Sequence, residues 1–353
     1  MDLDELYRYL PTVEDRLAAS YREAEEDAPA AVRGSVRLNR RFTLRGGKRL
    51  RALLVLAGHY LVDGRPPTAA IPAAAALEHF QSWMLIHDDI IDHALVRRGG
   101  PTVHLEVARQ HARAKGAGSS DDYGVGVAIT LGDLEEPLTW ASLLSGRSSP
   151  GHILAAVAEF VRMTRLTAYG QLLDLRNGTL EPSRVREADV LEVHRLKSAV
   201  YTVVSPLRIG AALAGGAPRL LADLEAIGTD LGIAFQLRDD VLGAGFDDGR
   251  SGKSANDLTE GKRPLLVVRA IRDGSAGERA AVERVLGRPR SSRAEVARAL
   301  GALRSSGSLA YSERAIDRLT RRALGRLRRC RSVPAERKPI LAEVAERLTR
   351  RSS

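Results

Sequence analysis

The chain has 353 residues, 44% of them hydrophobic and only 4% aromatic, with a formal net charge of +10. That is enough apolar side chain for a sizeable core, which excludes disorder as the default, and the single cysteine, Cys330, excludes an intrachain disulfide framework. No apolar stretch approaches the ~20 residues that span a bilayer, and MDLDELYRYL lacks the basic-then-apolar order of a signal peptide, so the chain reads as cytoplasmic with no obligatory membrane partner.

Alanine and leucine are abundant and β-branched runs are short, which favours close-packed helices. Periodicity predicts helices near residues 3–25, 47–63, 68–94, 126–145, 151–176, 187–215 and 219–242. Others follow near 263–273, 278–287, 293–304 and 308–330, with a last helix after Pro334. Breaks are expected at 63–67, 98–101, 115–122, 146–151, 177–182 and 247–256. No shift of composition and no short repeat divides the chain, so residues 1–353 read as one all-α domain. Much of the positive charge lies in the last third, where Arg321, Arg322, Arg326, Arg328, Arg329 and Arg331 interleave with Leu319, Leu324 and Leu327. That spacing describes the solvated face of a helix, and with no zinc-finger or RNP-like motif no nucleic-acid partner is expected.

The most informative residues are His87-Asp88-Asp89-Ile90-Ile91-Asp92, at the end of an apolar run that begins near Ala73. Three carboxylates entering from Trp83-Met84-Leu85-Ile86 are costly in a buried helix unless a cation offsets them. Asp88 and Asp92, four apart, share one helical face with Asp89 beside them. Oxygen-only ligands at that spacing suit Mg²⁺, which completes its octahedron with water and phosphate oxygen. A second acidic pair, Asp239-Asp240, closes another apolar helical pattern far downstream. An antiparallel bundle can bring two such clusters to one cavity, where they would hold Mg²⁺ around a diphosphate.

Basic residues then have work as diphosphate ligands. Gly46-Gly47-Lys48-Arg49-Leu50-Arg51 sets Lys48 and Arg51 on one helical face after two glycines that let backbone approach an anion. It is not a Walker A loop, because the leading glycine is misplaced and Arg49 follows the lysine. Arg97-Arg98 follows the first acidic motif, and Lys197, Lys253 and Lys262 punctuate the later segments. Gly124-Val125-Gly126 fails the dinucleotide fingerprint, and no Ser-His-Asp or Cys-His arrangement stands out. His87 reads as packing beside the motif.

Together these motifs resemble those of the trans-isoprenyl diphosphate synthases, the polyprenyl synthetase family. The likeness runs from about Phe42 to about Leu319 and leaves a basic segment at 320–353. It is carried by GGKRLR at 46–51, HDDIIDHALVRRGGPTVH at 87–104, LGD at 131–133 and GQLLDL at 170–175. It continues through LKSAVYTVVSPLRIGAALAG at 196–215, FQLRDDVLG at 235–243 and GKSANDLTEGKRPLL at 252–266. The resemblance implies an antiparallel helical bundle around a central active-site cavity, of the isoprenoid synthase type. It also implies Mg²⁺-dependent head-to-tail condensation of an allylic diphosphate with isopentenyl diphosphate, and a homodimer.

By the same resemblance, Asp88, Asp92 and Asp239 would ligate three Mg²⁺ on the allylic diphosphate, with Asp89 and Asp240 orienting ligands or holding metal-bound water. Arg97, Lys197 and Lys262 would take that diphosphate, with Lys253 nearby. Lys48, Arg51 and Arg98 would hold isopentenyl diphosphate, with Gln81 at its pocket. Gln236 and Ser198 would lie near the developing allylic cation, Asp174 and Gln171 would line the cavity, and Asp257 would act behind the metal ligands. Two departures stand out: Gly243 occupies the place where many members carry the last aspartate of the second acidic motif, and Ser198 replaces the commoner threonine. Activity is expected to survive both.

The growing tail should run beneath Asp88, where Met84 lies four residues earlier and Trp83 five. A large rigid ring there leaves no room for further methylenes, so a short product is expected, geranylgeranyl diphosphate ahead of farnesyl diphosphate. Two other classes compete. A class I terpene cyclase binds no isopentenyl diphosphate and leaves the Lys48/Arg51 cluster unexplained. A non-catalytic subunit of a heteromeric synthase leaves the two acidic motifs unexplained.

Overall fold

The computed structural model describes residues 1–246 and 256–349. In chain order the elements begin with α1 (Leu3–Tyr7), α2 (Leu10–Asp27), α3 (Arg33–Leu44), α4 (Leu50–Asp63) and α5 (Ile71–Ile91). A two-residue hairpin, β1 (Val96–Arg97) and β2 (Gly100–Pro101), precedes α6 (Val103–Arg113), α7 (Ser120–Leu144) and α8 (Pro150–Thr179). Next come α9 (Glu187–Val193), a π-helical segment (His194–Val204), α10 (Ser205–Leu213) and α11 (Pro218–Gly243). The chain finishes with α12 (Asn256–Thr259), α13 (Leu265–Asp273), α14 (Ala276–Glu283), α15 (Arg293–Ser305), α16 (Ser308–Arg329) and α17 (Lys338–Thr349). The all-α expectation holds, the hairpin being the whole of the sheet among the described residues.

The chain divides into two compact units, Met1–Ala156 with Ile209–Gly215, and Val157–Arg208 with Gly216–Ser353. In the first, α4 is buried from Ala52 to Leu61, and α5 packs against α2, α4 and α7. A cluster of Leu38, Phe42, Ile86, Val103, Val107, Ala128 and Leu131 ties α3, α5, α6 and α7 beneath the first acidic motif. In the second, α11 is buried along most of its length against the π segment and α16. Ala199, Ile233, Ala234, Leu237, Val241, Ile316 and Leu319 form its core there.

Several boundaries differ from the sequence expectation. The first predicted helix breaks between Tyr7 and Leu10, just before Pro11 takes an N-terminal helical position. Helices α3 and α6 were not anticipated: polar and basic side chains dilute their apolar spacing, and each buries only a narrow stripe, Val36, Leu38 and Phe42 in one, Val103, Val107 and Ala108 in the other. Helix α7 starts six residues earlier than expected because Ser119 caps it, accepting from Asp122 N at 3.2 Å, with Asp121 and Asp122 in the first turn. The predicted helix over 187–215 contains the π segment, whose wider i→i+5 turns periodicity does not distinguish from α. Arg322 and Arg326 of α16 face Asp230, while Leu319 and Leu327 are buried, so the basic face has acidic partners within its own unit.

Candidate active site

The first acidic motif ends α5. Asp92 is the C-cap and the last turn holds no basic residue. Ala94 N donates to Asp89 O at 2.9 Å and His93 N to Ile90 O at 3.3 Å, a Schellman closure made with His93 at φ +51°. Carboxylates at the negative end of a helix dipole are unfavourable alone and call for a cation. Asp88 is half-buried, Asp92 exposed and Asp89 buried. Asp89 Oδ1 accepts from Arg97 Nε at 2.8 Å, while Asp89 Oδ2 has no hydrogen-bond partner among the described residues. Burial raises the Asp89 carboxyl above the usual range, against the opposing pull of Arg97.

The basic cluster of the same unit is assembled from two turns and a residue of α5. Between α3 and α4 the chain passes through Gly46, Gly47 and Arg49 with positive φ, leaving Lys48 exposed and Arg51 half-buried. Arg49 turns inward, pairing with Glu78 at 2.9 Å and Glu14 at 3.0 Å and donating to Thr43 O at 3.0 Å. In the hairpin, Arg98 and Gly99 both have positive φ, the signature of a type I′ turn, and Arg45 Nη1 clamps it by donating to Pro101 O at 2.9 Å. The Arg98 guanidinium passes over Gly47, where a Cβ would lie 3.4 Å from Cζ. Gln81, with its amide oriented to satisfy its neighbours, accepts from Arg51 Nη1 and Arg98 Nη2, both at 3.2 Å. Three residues singled out in the sequence are thus brought into one cluster, beside Lys48 on the loop entering α4. Arg49, Glu78 and Thr43 were not anticipated, because their partners are far apart in sequence.

The second acidic motif ends α11 in the same fashion. Phe246 N donates to Val241 O at 3.2 Å and Gly245 N to Leu242 O at 3.0 Å, again with no basic residue in the last turn. Asp239 is half-buried and Asp240 buried. Gln236 Nε2 donates to Asp240 Oδ1 at 2.8 Å, and His194 Nε2 lies 3.0 Å from Asp240 Oδ2. A Cβ on Gly243 would meet Asp257 Oδ2 at 1.8 Å, so the Asp257 carboxylate occupies the space a side chain at 243 would need. Lys262 Nζ holds Asp257 Oδ1 at 2.9 Å and Glu260 at 3.1 Å. Burial lowers the Lys262 ammonium, but Asp257 and Glu260 together carry it well above the ordinary lysine value.

Lys197 and Ser198 sit in the π segment, both half-buried. Two glycines admit that wider helix: a Cβ on Gly170 of α8 would be 2.4 Å from Lys197 N, and one on Gly232 of α11 would be 2.5 Å from Ala199 Cα. Lys197 Nζ donates to Asp174 Oδ2 at 2.7 Å, and Gln171 is half-buried on the same helix as Asp174. His194, one of the groups not anticipated, lies three residues before Lys197. Lys253 lies outside the described residues.

Among the described residues no three His, Cys, Asp or Glu side chains are gathered to hold a metal by themselves. Each acidic turn offers oxygen ligands for part of a shell, which suits an ion that takes its other ligands from water and phosphate.

Residues 37–303 match the family model for polyprenyl synthetases. The chain belongs to the polyprenyl synthetase family. It is 34% identical over 307 residues to the geranylfarnesyl diphosphate synthase of Aeropyrum pernix, covering 84% of this chain and 87% of that one. It is 30% identical over 305 residues to the geranylgeranyl diphosphate synthase of Sulfolobus acidocaldarius, covering 84% and 86%. A crystal structure of geranylgeranyl pyrophosphate synthase from Corynebacterium glutamicum, complexed with isoprenyl diphosphate and magnesium, is similar at a TM-score of 0.90 and 33% identity, covering 99% of each chain. The protein is a short-chain prenyl diphosphate synthase, and its substrates are isoprenyl diphosphates.

In this polyprenyl synthetase, Trp83 is half-buried, edge-on to Phe80 at 5.6 Å and to His87 at 6.5 Å between ring centroids. Its Nε1 is buried with no hydrogen-bond partner among the described residues. Met84 beside it is half-buried. His87 packs over Gly132, where a Cβ would come within 2.6 Å of its ring, so the packing role expected of His87 agrees with its surroundings. Among the described residues no helix is long and apolar enough to cross a membrane.

Proposed function

We propose that this synthase condenses isopentenyl diphosphate with an allylic diphosphate to give geranylgeranyl diphosphate, acting as one catalytic domain in a cytoplasmic homodimer. The observation that carries this reading is the Arg51–Gln81–Arg98 cluster beside Lys48. In this reading it is a second anion site, and a cyclase that binds no isopentenyl diphosphate has no use for it. Exposed apolar residues along α8 (Val161, Tyr169, Leu172 and Leu175) support a subunit contact.

In this reading Asp88, Asp92 and Asp239 would hold three Mg²⁺, and Asp89, Asp240 and Asp257 would orient those carboxylates. When bound, Mg²⁺ supplies charge neutralisation to the leaving diphosphate. Arg97, Lys197, Lys253 and Lys262 bind the same diphosphate as negative charge grows on it during carbon–oxygen cleavage. Gln236 and Ser198 face the allylic cation, and Asp174 and Gln171 line the approach, with Asp174 holding Lys197. Lys48, Arg51 and Arg98, with Gln81, fix isopentenyl diphosphate so that its double bond meets the cation as a local event. A proton then leaves to the departing diphosphate, so no side-chain nucleophile is required. Trp83, with Met84, blocks further elongation.

Incubating the purified protein with Mg²⁺, isopentenyl diphosphate and farnesyl diphosphate tests the reading. The expected product is geranylgeranyl diphosphate. Products one or more isoprene units longer would overturn the assigned length. A cyclised hydrocarbon, or no product without a partner chain, would overturn the reading as a whole.

A further inference from the structure

Six buried polar side chains in the first unit join α2, α3, α5 and α7 and end beneath the basic cluster. Glu135 accepts from the Tyr21 hydroxyl and shares a 2.7 Å hydrogen bond with His79 Nδ1. His79 Nε2 meets Ser20 Oγ at 2.7 Å. The Tyr21 hydroxyl also lies 2.7 Å from Thr43 Oγ1, which donates to Ser82 Oγ at 2.8 Å. All six are buried, and none belongs to the metal, diphosphate or chain-length residues assigned above. Burial and the adjacent Glu135 push the Tyr21 phenol well above its usual pKa, so it stays a donor.

Ser20, His79 and Glu135 have the connectivity of a hydrolytic triad, but Ser20 is buried and donates to Leu17 O at 2.9 Å. A nucleophile needs access to its substrate, so this is not a second catalytic centre. A buried polar network is costly against apolar packing of the same volume, and what it holds is therefore informative. It holds Thr43. That residue lies in the last turn of α3, where carbonyls have no intrahelical donor. Its carbonyl accepts from Arg49 Nη2 at 3.0 Å and Arg98 Nη1 at 3.3 Å. At the other end, Ser82 immediately follows Gln81, which bridges Arg51 and Arg98.

We propose that the Ser20–His79–Glu135–Tyr21–Thr43–Ser82 network is a positioning device for the isopentenyl diphosphate end of the reaction. It locks Thr43, and through the Thr43 carbonyl it aims Arg98. The inference rests on the reading that Arg98 binds isopentenyl diphosphate. Preorganising a charged ligand through a buried partner lowers the cost of ordering it on binding, so the network acts on one substrate and not the other.

Steady-state kinetics with each substrate varied separately provide the test. Thr43→Val, which removes the gripping hydroxyl at nearly constant volume, is expected to raise KM for isopentenyl diphosphate about tenfold. KM for the allylic diphosphate should stay within about twofold. Thr43→Ser should restore the parent value. If Thr43→Val does not fold, Tyr21→Phe, which removes the hydroxyl touching both Glu135 and Thr43, decides the same question. A folded variant whose two KM values are unchanged, or rise together, overturns the positioning role. Arg98→Ala separates this from the underlying assignment. If it raises KM for isopentenyl diphosphate while the Thr43 and Tyr21 variants do not, only the positioning role fails; if it leaves that KM unchanged, the diphosphate assignment fails with it.

Discussion

The two acidic helix ends solve one electrostatic problem with different neighbours. Both α5 and α11 close through Schellman turns, and both carry paired carboxylates at a helix terminus that repels them. At the end of α5 the helix supplies all three acids, and Arg97 engages the middle one. At the end of α11 the helix supplies two. Gln236 engages Asp240, and the carboxylate of Asp257 fills the space over Gly243, one helical turn from Asp239 on the same face. The carboxylate over Gly243 thus comes from α12 and not from the helix that carries Asp239 and Asp240.

The sharpest way to break this comparison is to remove one acid from each end. Asp88→Ala and Asp239→Ala should each lower turnover by on the order of 10³-fold, measured as steady-state product formation at saturating Mg²⁺. Near-normal activity in either would remove that helix end from the metal site. The next effect separates the two ends. Placing an aspartate at Gly243 would seem to restore the third acid, yet its Cβ would collide with Asp257. Gly243→Asp should therefore cost about 10- to 100-fold in turnover. The paired exchange Gly243→Asp with Asp257→Gly should recover most of the loss. A Gly243→Asp variant as active as the parent would show that Asp257 does not stand in for the missing acid.

The turn preceding the first motif gives a third effect, read in products and not in rate. Trp83→Ala, one turn ahead of the first motif, should lengthen the products by at least one isoprene unit on chromatography. Unchanged length would return Trp83 to ordinary packing. The smallest effect concerns pH. His59 and His104, both in the first unit, have pKa values lowered by burial. Their neutral forms favour the fold, so this stability is full above the unfolded histidine value, about 6.5, and is lost as pH falls through and below it. Amides of α4 and α6 should lose hydrogen-exchange protection on acidification, and His59→Gln with His104→Gln should flatten that dependence.

Much of this was legible in the sequence because the chemistry is local. The acidic turns, the GGKRLR stretch and Arg97-Arg98 each announce themselves within a few residues, and the long helices follow from apolar spacing. The support was not legible. Ser20, Tyr21, Thr43, His79, Ser82 and Glu135 are ordinary residues in their own segments and become a network only when four helices meet. Helix α3 was missed because its basic residues mask a narrow apolar stripe, yet it carries the carbonyl that two arginines share. The π segment was missed for a different reason: Gly170 and Gly232 permit it from neighbouring helices, and nothing within residues 194–204 demands it.

Among the described residues four non-glycine positions have positive φ: Arg49, His93, Arg98 and Lys115. Three of them border the proposed site, beside Lys48, beside Asp92, and at Arg98 itself. Such a conformation costs an L-residue roughly 1–2 kcal/mol, so the fold spends stability where it needs direction. A thermostabilisation effort that ranked sites by backbone strain would choose these three early, and would be trading heat tolerance against the aim of the groups proposed to hold substrate. Lys115, in the loop before α7, is the one of these four positions that adjoins no residue of the proposed site in sequence.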